Sequence, residues 1–115
     1  MLEVNKDAIT KEAVDQWFAS WEHLNEQIHA AHERRDGSAK TLMEQGIELF
    51  EAFVLKATHE AVHFNVEHEY EVMPINGNER FTFIKMKPGQ YACYRQLDEL
   101  FKETKKRCAR LRLKK

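Results

Sequence analysis

The sequence is poor in the residues that mark several common functions. It has two cysteines, two prolines and four glycines in 115 residues. Its longest run of large apolar residues is Phe53-Val54-Leu55, far short of the roughly 20 needed to span a bilayer. No membrane association is therefore expected. The opening MLEVNKDAITKE has no basic stretch followed by an apolar one, so no secretory signal is expected either. There is no P-loop, no G-x-G-x-x-G and no G-x-S-x-G, and four glycines leave little for a phosphate cradle. Cys93 and Cys108, if they share a helix, lie about 22 Å apart along it, too far for a mutual disulfide. Unpaired thiols without a signal sequence predict a reducing, cytoplasmic setting.

Positive charge is scarce until the end of the chain. Residues 1–101 hold 10 Lys/Arg against 18 Asp/Glu, a balance of −8. Residues 102–115 hold 8 Lys/Arg against one Glu, a balance of +7. The net charge of −1 thus hides an acidic body and a basic C-terminal tail. The length suits one domain with one core, spanning residues 1–115.

Helical spacing is plentiful. Val14, Trp17, Trp21, Leu24, Ile28 and Ala31 step by 3 and 4, placing them on one stripe. Thr10 or Asp7 suits the start of this helix, and Asp36-Gly37 its end. A second stripe runs through Met43, Ile47, Phe50, Val54, Ala57, Ala61 and Phe64, with Ser38 or a Thr41-to-Glu44 capping box at its start. The spacing predicts helices over 10–35 and 39–64, packed antiparallel, with Trp17, Trp21, Leu24, Ile28, Phe50 and Val54 buried. Cys93, Leu97, Leu100, Thr104, Cys108 and Leu111 form a third stripe, starting near Pro88 and fraying after about Leu111. The middle reads two ways. Residues 64–72 alternate like a strand, Asn76-Gly77 suits a hairpin, and residues 80–84 suit a return strand. Equally, Asn78 could cap a short helix carrying Phe81 and Ile84 and ending before Pro88.

The last third resembles the YpoC-like family of small bacterial proteins. The resemblance lies in Glu79-Arg80-Phe81-Thr82-Phe83-Ile84, in Pro88-Gly89-Gln90-Tyr91-Ala92-Cys93-Tyr94-Arg95-Gln96-Leu97 and in Glu99-Leu100-Phe101-Lys102-Glu103. Met43-Glu44-Gln45-Gly46-Ile47-Glu48-Leu49-Phe50 is compatible with it, while residues from about Ala57 to Val72 depart from the pattern. The resemblance implies an all-helical protein and favours a helix over 79–87. It carries no activity, cofactor or catalytic residue. The expected fold is an all-α bundle: a long antiparallel helical hairpin, a short helix and a long C-terminal helix.

Two patterns raise metal chemistry. His59-Glu60-Ala61-Val62-His63 fits H-E-x-x-H, in which two histidines one helical turn apart bind zinc and the Glu acts as base. A catalytic zinc usually takes three protein ligands, and the extended signature would need Gly and His where Val66 and Glu69 stand. On a helix continuing to 64, both histidines face away from the apolar stripe. Glu26-x-x-His29 and Glu60-x-x-His63 echo di-iron bundles, but the hairpin register would separate them by about 15 Å. His32 reads as a packing residue. No metal, cofactor or catalytic residue is expected.

The basic cluster offers more. Lys105, Lys106, Arg107, Arg110 and Arg112 form a candidate anion or partner surface. They could complement the helix C-terminus, pair with an acidic body here or in another copy, or contact phosphates. No aromatic residue is interleaved among them, which disfavours single-strand stacking. The expected function is a non-enzymatic interaction or scaffold module with a protein partner or self-association. A nucleic-acid accessory role through the basic helix is the alternative, and a metal-dependent hydrolase through the HEAVH stretch comes after it.

Overall fold

The computed structural model describes residues 1–59 and 61–114. Among the described residues, four α-helices form the body: α1 (Lys11–Arg34), α2 (Ala39–Lys56), α3 (Gly77–Met86) and α4 (Tyr91–Leu113). A single 3-10 turn, Lys6–Ala8, precedes α1.

Thr10 starts α1 by accepting a hydrogen bond from Ala13 N at 3.2 Å, which satisfies one of the free amides of the first turn. Arg35 ends the helix in the left-handed region at φ 55°, and Gly37 follows at φ 82°. Asp36 then ties the corner by accepting from Ser38 N at 3.0 Å, Ser38 Oγ at 2.6 Å and Arg34 Nε at 2.8 Å. These bonds, the Ser38 hydroxyl foremost, hold its carboxyl far below the ordinary carboxylate range. Ser38 does stand at the N-cap of α2, but its hydroxyl makes no capping bond to the helix and is held by Asp36 instead.

The chain turns back at this corner, so Trp17 meets Phe50 and Phe53 while Trp21 lies over Gly46. A Cβ at Gly46 would come within 2.8 Å of the Trp21 ring and 3.2 Å of Leu97 Cδ2, so glycine is what lets three helices close at this level. Helix α4 lies antiparallel to α1. Its Phe101 stacks on Trp21 at 4.2 Å and on Trp17 at 4.8 Å. Phe50 joins this aromatic centre to Phe81 of α3, at 5.2 Å. Trp17, Trp21, Ile28, Phe50 and Val54 are buried, while Leu24 is only half-buried, at the edge of the α1/α2 seam.

The expected helix over 39–64 stops early, at Lys56. The backbone that would have continued it is taken by the N-terminus instead. Asn5 N donates to Ala57 O at 2.7 Å, and His59 N donates to Glu3 O at 3.0 Å. On its other side the same segment bonds Glu69 O and Glu71 N, through Leu2. Leu2–Asn5 is thus an extended strip between two later segments, pairing at Leu2 with Tyr70 and at Val4 with Thr58. Phe64 still reaches the core, but through a fold-back that stacks it on Tyr70 at 5.2 Å.

The helix expected over 79–87 is present, as the resemblance implied, whereas residues 61–76 before it are turns and extended backbone. Helix α3 begins one residue after Asn76, which sits at φ 59°, rather than at Asn78. Asn78 lies inside the first turn, and its amide donates to His68 O. Arg80 clamps α3 to α4 with two hydrogen bonds to the Glu103 carboxylate, at 2.6 and 3.1 Å. Helix α4 starts after Gln90, beyond Pro88, and continues as a regular helix to Leu113, so the tail does not fray at Leu111.

Candidate functional site

On α4, Lys102, Lys105, Lys106, Ala109 and Arg112 recur at spacings of 3 and 4, which puts them on one face. On α1, Lys11, Val14, Asp15 and Phe18 do the same. The two faces border a shared groove of about 440 Å³. Its floor is apolar, from Val14, Phe18 and the small Ala109. Its walls carry five cations against one carboxylate, Asp15.

That carboxylate is engaged from both sides. Lys11 Nζ bonds Asp15 Oδ2 at 2.7 Å, and Lys105 Nζ stands 3.9 Å from Oδ1. The Lys11 hydrogen bond, helped by the charges of Lys11, Lys105 and Arg112, holds the Asp15 carboxyl below its usual range. Lys105 also lies 4.4 Å from the centre of the Phe18 ring, a cation–π placement that roofs the only aromatic in the groove. Arg112 Nη1 donates to Ile9 O at 2.9 Å. Lys102 pairs with Asp98 at 2.9 Å, which raises its pKa. Lys106 is exposed and makes no ion pair among the described residues.

The structure splits the five basic residues singled out from the sequence. Lys105, Lys106 and Arg112 line the groove. Arg107 turns the other way, and its Nε donates to Glu71 O. There it borders a separate cavity with Met1, Tyr70 and Met73. Arg110 is exposed and does not line the groove. Lys11, Asp15 and Phe18 were missed, although their spacing marks them as one flank of the Val14-Trp17-Trp21 stripe.

None of the described residues of the HEAVH stretch lies in a helix. His59 sits in a turn after α2 has ended, and His63 is exposed in a bend. Glu60 lies outside the described residues. The two histidines therefore do not have the one-turn helical spacing on which the zinc signature depends. This corrects the expectation that they lie on a helix surface. His29 instead pairs with Glu33 at 3.1 Å. Among the described residues, no three His, Cys, Asp or Glu side chains are placed to hold a metal ion. Cys93 and Cys108 are free and buried, and burial pushes the Cys108 thiol up to about 12.

His32 packs between two aromatic rings of α4. It stacks on Tyr94 at 5.6 Å and meets Tyr91 edge-on at 5.3 Å, and its buried Nε2 has no hydrogen-bond partner among the described residues. Burial, with His29 nearby, lowers its pKa below 6.5. Its neutral form therefore favours the folded state. That contribution is complete above pH 6.5 and is lost as pH falls through the lower folded-state value. Urea midpoints should fall between pH 7.5 and 5.5, a window above the titration of the carboxylates that are held low. In H32Q the fall should shrink. An unchanged pH dependence in H32Q would contradict this placement.

Fold and site together define a small all-α bundle with a cationic groove between its first and last helices. The chain belongs to the YpoC-like protein family, whose model matches residues 11–115. A 40-residue stretch is 55% identical to the Bacillus subtilis protein named "Uncharacterized protein YpoC". That alignment covers 35% of this chain and 24% of the relative's length. No solved structure gives a significant match. No helix among the described residues is long and apolar enough to cross a membrane.

Proposed function

We propose that this protein is a non-enzymatic, cytoplasmic interaction module, acting as one domain, whose basic α4 face holds an acidic partner protein. The observation that carries this reading is the charge segregation: a −8 body and a +7 terminal segment, with the latter ordered as a helix to Leu113. An ordered cationic face on an acidic body favours a short anionic segment over a long polyanion. Duplex DNA would extend past α4 and meet the acidic body. Nucleic acid stays the second reading because Lys106 and Arg110 are both exposed.

The test is fluorescence anisotropy with a nine-residue polyglutamate peptide and a 12-base-pair duplex, each at 50 and 200 mM salt. The peptide should bind, weaken with salt, and lose at least tenfold in affinity to K106E/R110E. Tighter binding of the duplex would transfer the function to nucleic acid. Binding of neither probe would remove the basic face as the working surface.

A further inference from the structure

We infer that the α1/α4 groove, and not the basic face at large, is the docking site, and that it takes an acidic peptide segment anchored by one apolar side chain, with Asp15 as the built-in competitor for that segment's carboxylates. The inference rests on the reading above and narrows it to one site and one ligand chemistry.

Size comes first. From Lys102 to Arg112 the groove runs about 15 Å at 1.5 Å per residue. An extended peptide of about five residues covers that length. Composition comes next. Five cations line the groove against one lining carboxylate, and even with Lys102 paired to Asp98 and Lys11 to Asp15 a positive excess remains, so the ligand must bring negative charge. A purely electrostatic surface would have no use for an apolar floor, yet Val14, Phe18 and Ala109 supply one. Ala109 has no bulk to keep a ligand away, and Phe18 is only partly buried. An apolar side chain between acidic neighbours matches both features.

Asp15 gives the groove its internal control. Its two oxygens already face Lys11 and Lys105, and Lys105 also covers Phe18. One intramolecular carboxylate therefore occupies two of the cations and helps hold the aromatic floor closed. An incoming peptide carboxylate that takes Lys105 away from Asp15 exposes Phe18 in the same step, so charge recognition and apolar anchoring occur together.

The experiment compares the peptides EEEELEEEE and EEEESEEEE against wild-type protein and the variants D15N, F18A, K106E and R110E. Wild type should prefer the leucine peptide by about fivefold. D15N should bind both peptides about three- to fivefold tighter, because it removes the competing carboxylate. F18A should bind both equally, and K106E should weaken both. R110E, outside the groove, should weaken them less than K106E. If F18A proves poorly folded by circular dichroism, the D15N gain and the leucine preference still decide. Equal binding of both peptides by wild type, or no gain in D15N, overturns the groove while leaving the interaction reading in place. Equal losses in R110E and K106E overturn it in the same way. No binding of either peptide by any form overturns both.

Discussion

Trp21→Ala should destabilise the fold by about 3–5 kcal/mol, the largest single-residue loss expected on α1. Trp21 is 0% exposed. Its ring lies flat on Phe101, with planes 3° apart at 4.2 Å, and its other edge fills the space left by Gly46. The indole also does polar work. Nε1 donates at 3.0 Å to Oδ1 of Asp98, a residue only 8% exposed whose second carboxylate oxygen meets Lys102. Truncation thus opens a cavity and removes a donor from a buried charge. Trp21→Phe separates the two effects. It keeps a stacked ring but loses the donor, and should cost about 1–3 kcal/mol. Urea denaturation monitored by circular dichroism measures both. A loss under 1 kcal/mol for the alanine variant would contradict the central position given to Trp21.

The reason Trp21 could be assigned from sequence also explains what could not. The stripe Val14-Trp17-Trp21-Ile28 is local, and its α2 partners lie across a short corner, so periodicity put those two faces together; Phe101 and Asp98 of α4, which stack on and bond Trp21, were not paired with it by spacing alone. Leu24 shows the limit: it keeps the spacing but lies at the edge of the seam, half-buried. The end of α2 was illegible for a stronger reason. Ala57, Ala61 and Phe64 continue the helical spacing, but Glu3 O, accepting from His59 N, and Asn5 N, donating to Ala57 O, lie more than fifty residues earlier and compete for that backbone and win. Nothing local announces such a partner.

The groove was legible by halves. Lys105, Lys106 and Arg112 stand out as charge, whereas Asp15 and Phe18 gain meaning only once α1 and α4 are known to be adjacent. Arg107 has the same composition signal as its neighbours, yet Glu71 O draws it to the opposite side of α4.

Phe81→Ala should cost about 3–5 kcal/mol, whereas Phe83→Ala should cost less than 1 kcal/mol. The contrast tests the segment whose sequence fitted a helix and a hairpin equally well. In a strand, residues two apart share a face, so Phe81 and Phe83 would be buried or exposed together. In a helix, Phe81 shares its face with Ile84, and Phe83 points elsewhere. The exposures follow the helical rule: Phe81 and Ile84 are 0% exposed, and Phe83 is 46% exposed. Phe81 sits between Phe50 at 5.2 Å and Phe64 at 5.3 Å, so it joins α3 both to the aromatic centre and to the fold-back after α2. Lys85 stands 5.4 Å from its ring centre, and its ammonium pairs with Glu51 at 2.6 Å, closing the solvent side. Removing the ring therefore empties a site that three segments share, while removing Phe83 takes away one that is about half in solvent. Similar losses for the two variants would restore the hairpin. A large loss for Phe81 alone, measured by the same urea titration, requires the helix, because no period-of-two arrangement buries one of these rings and exposes the other.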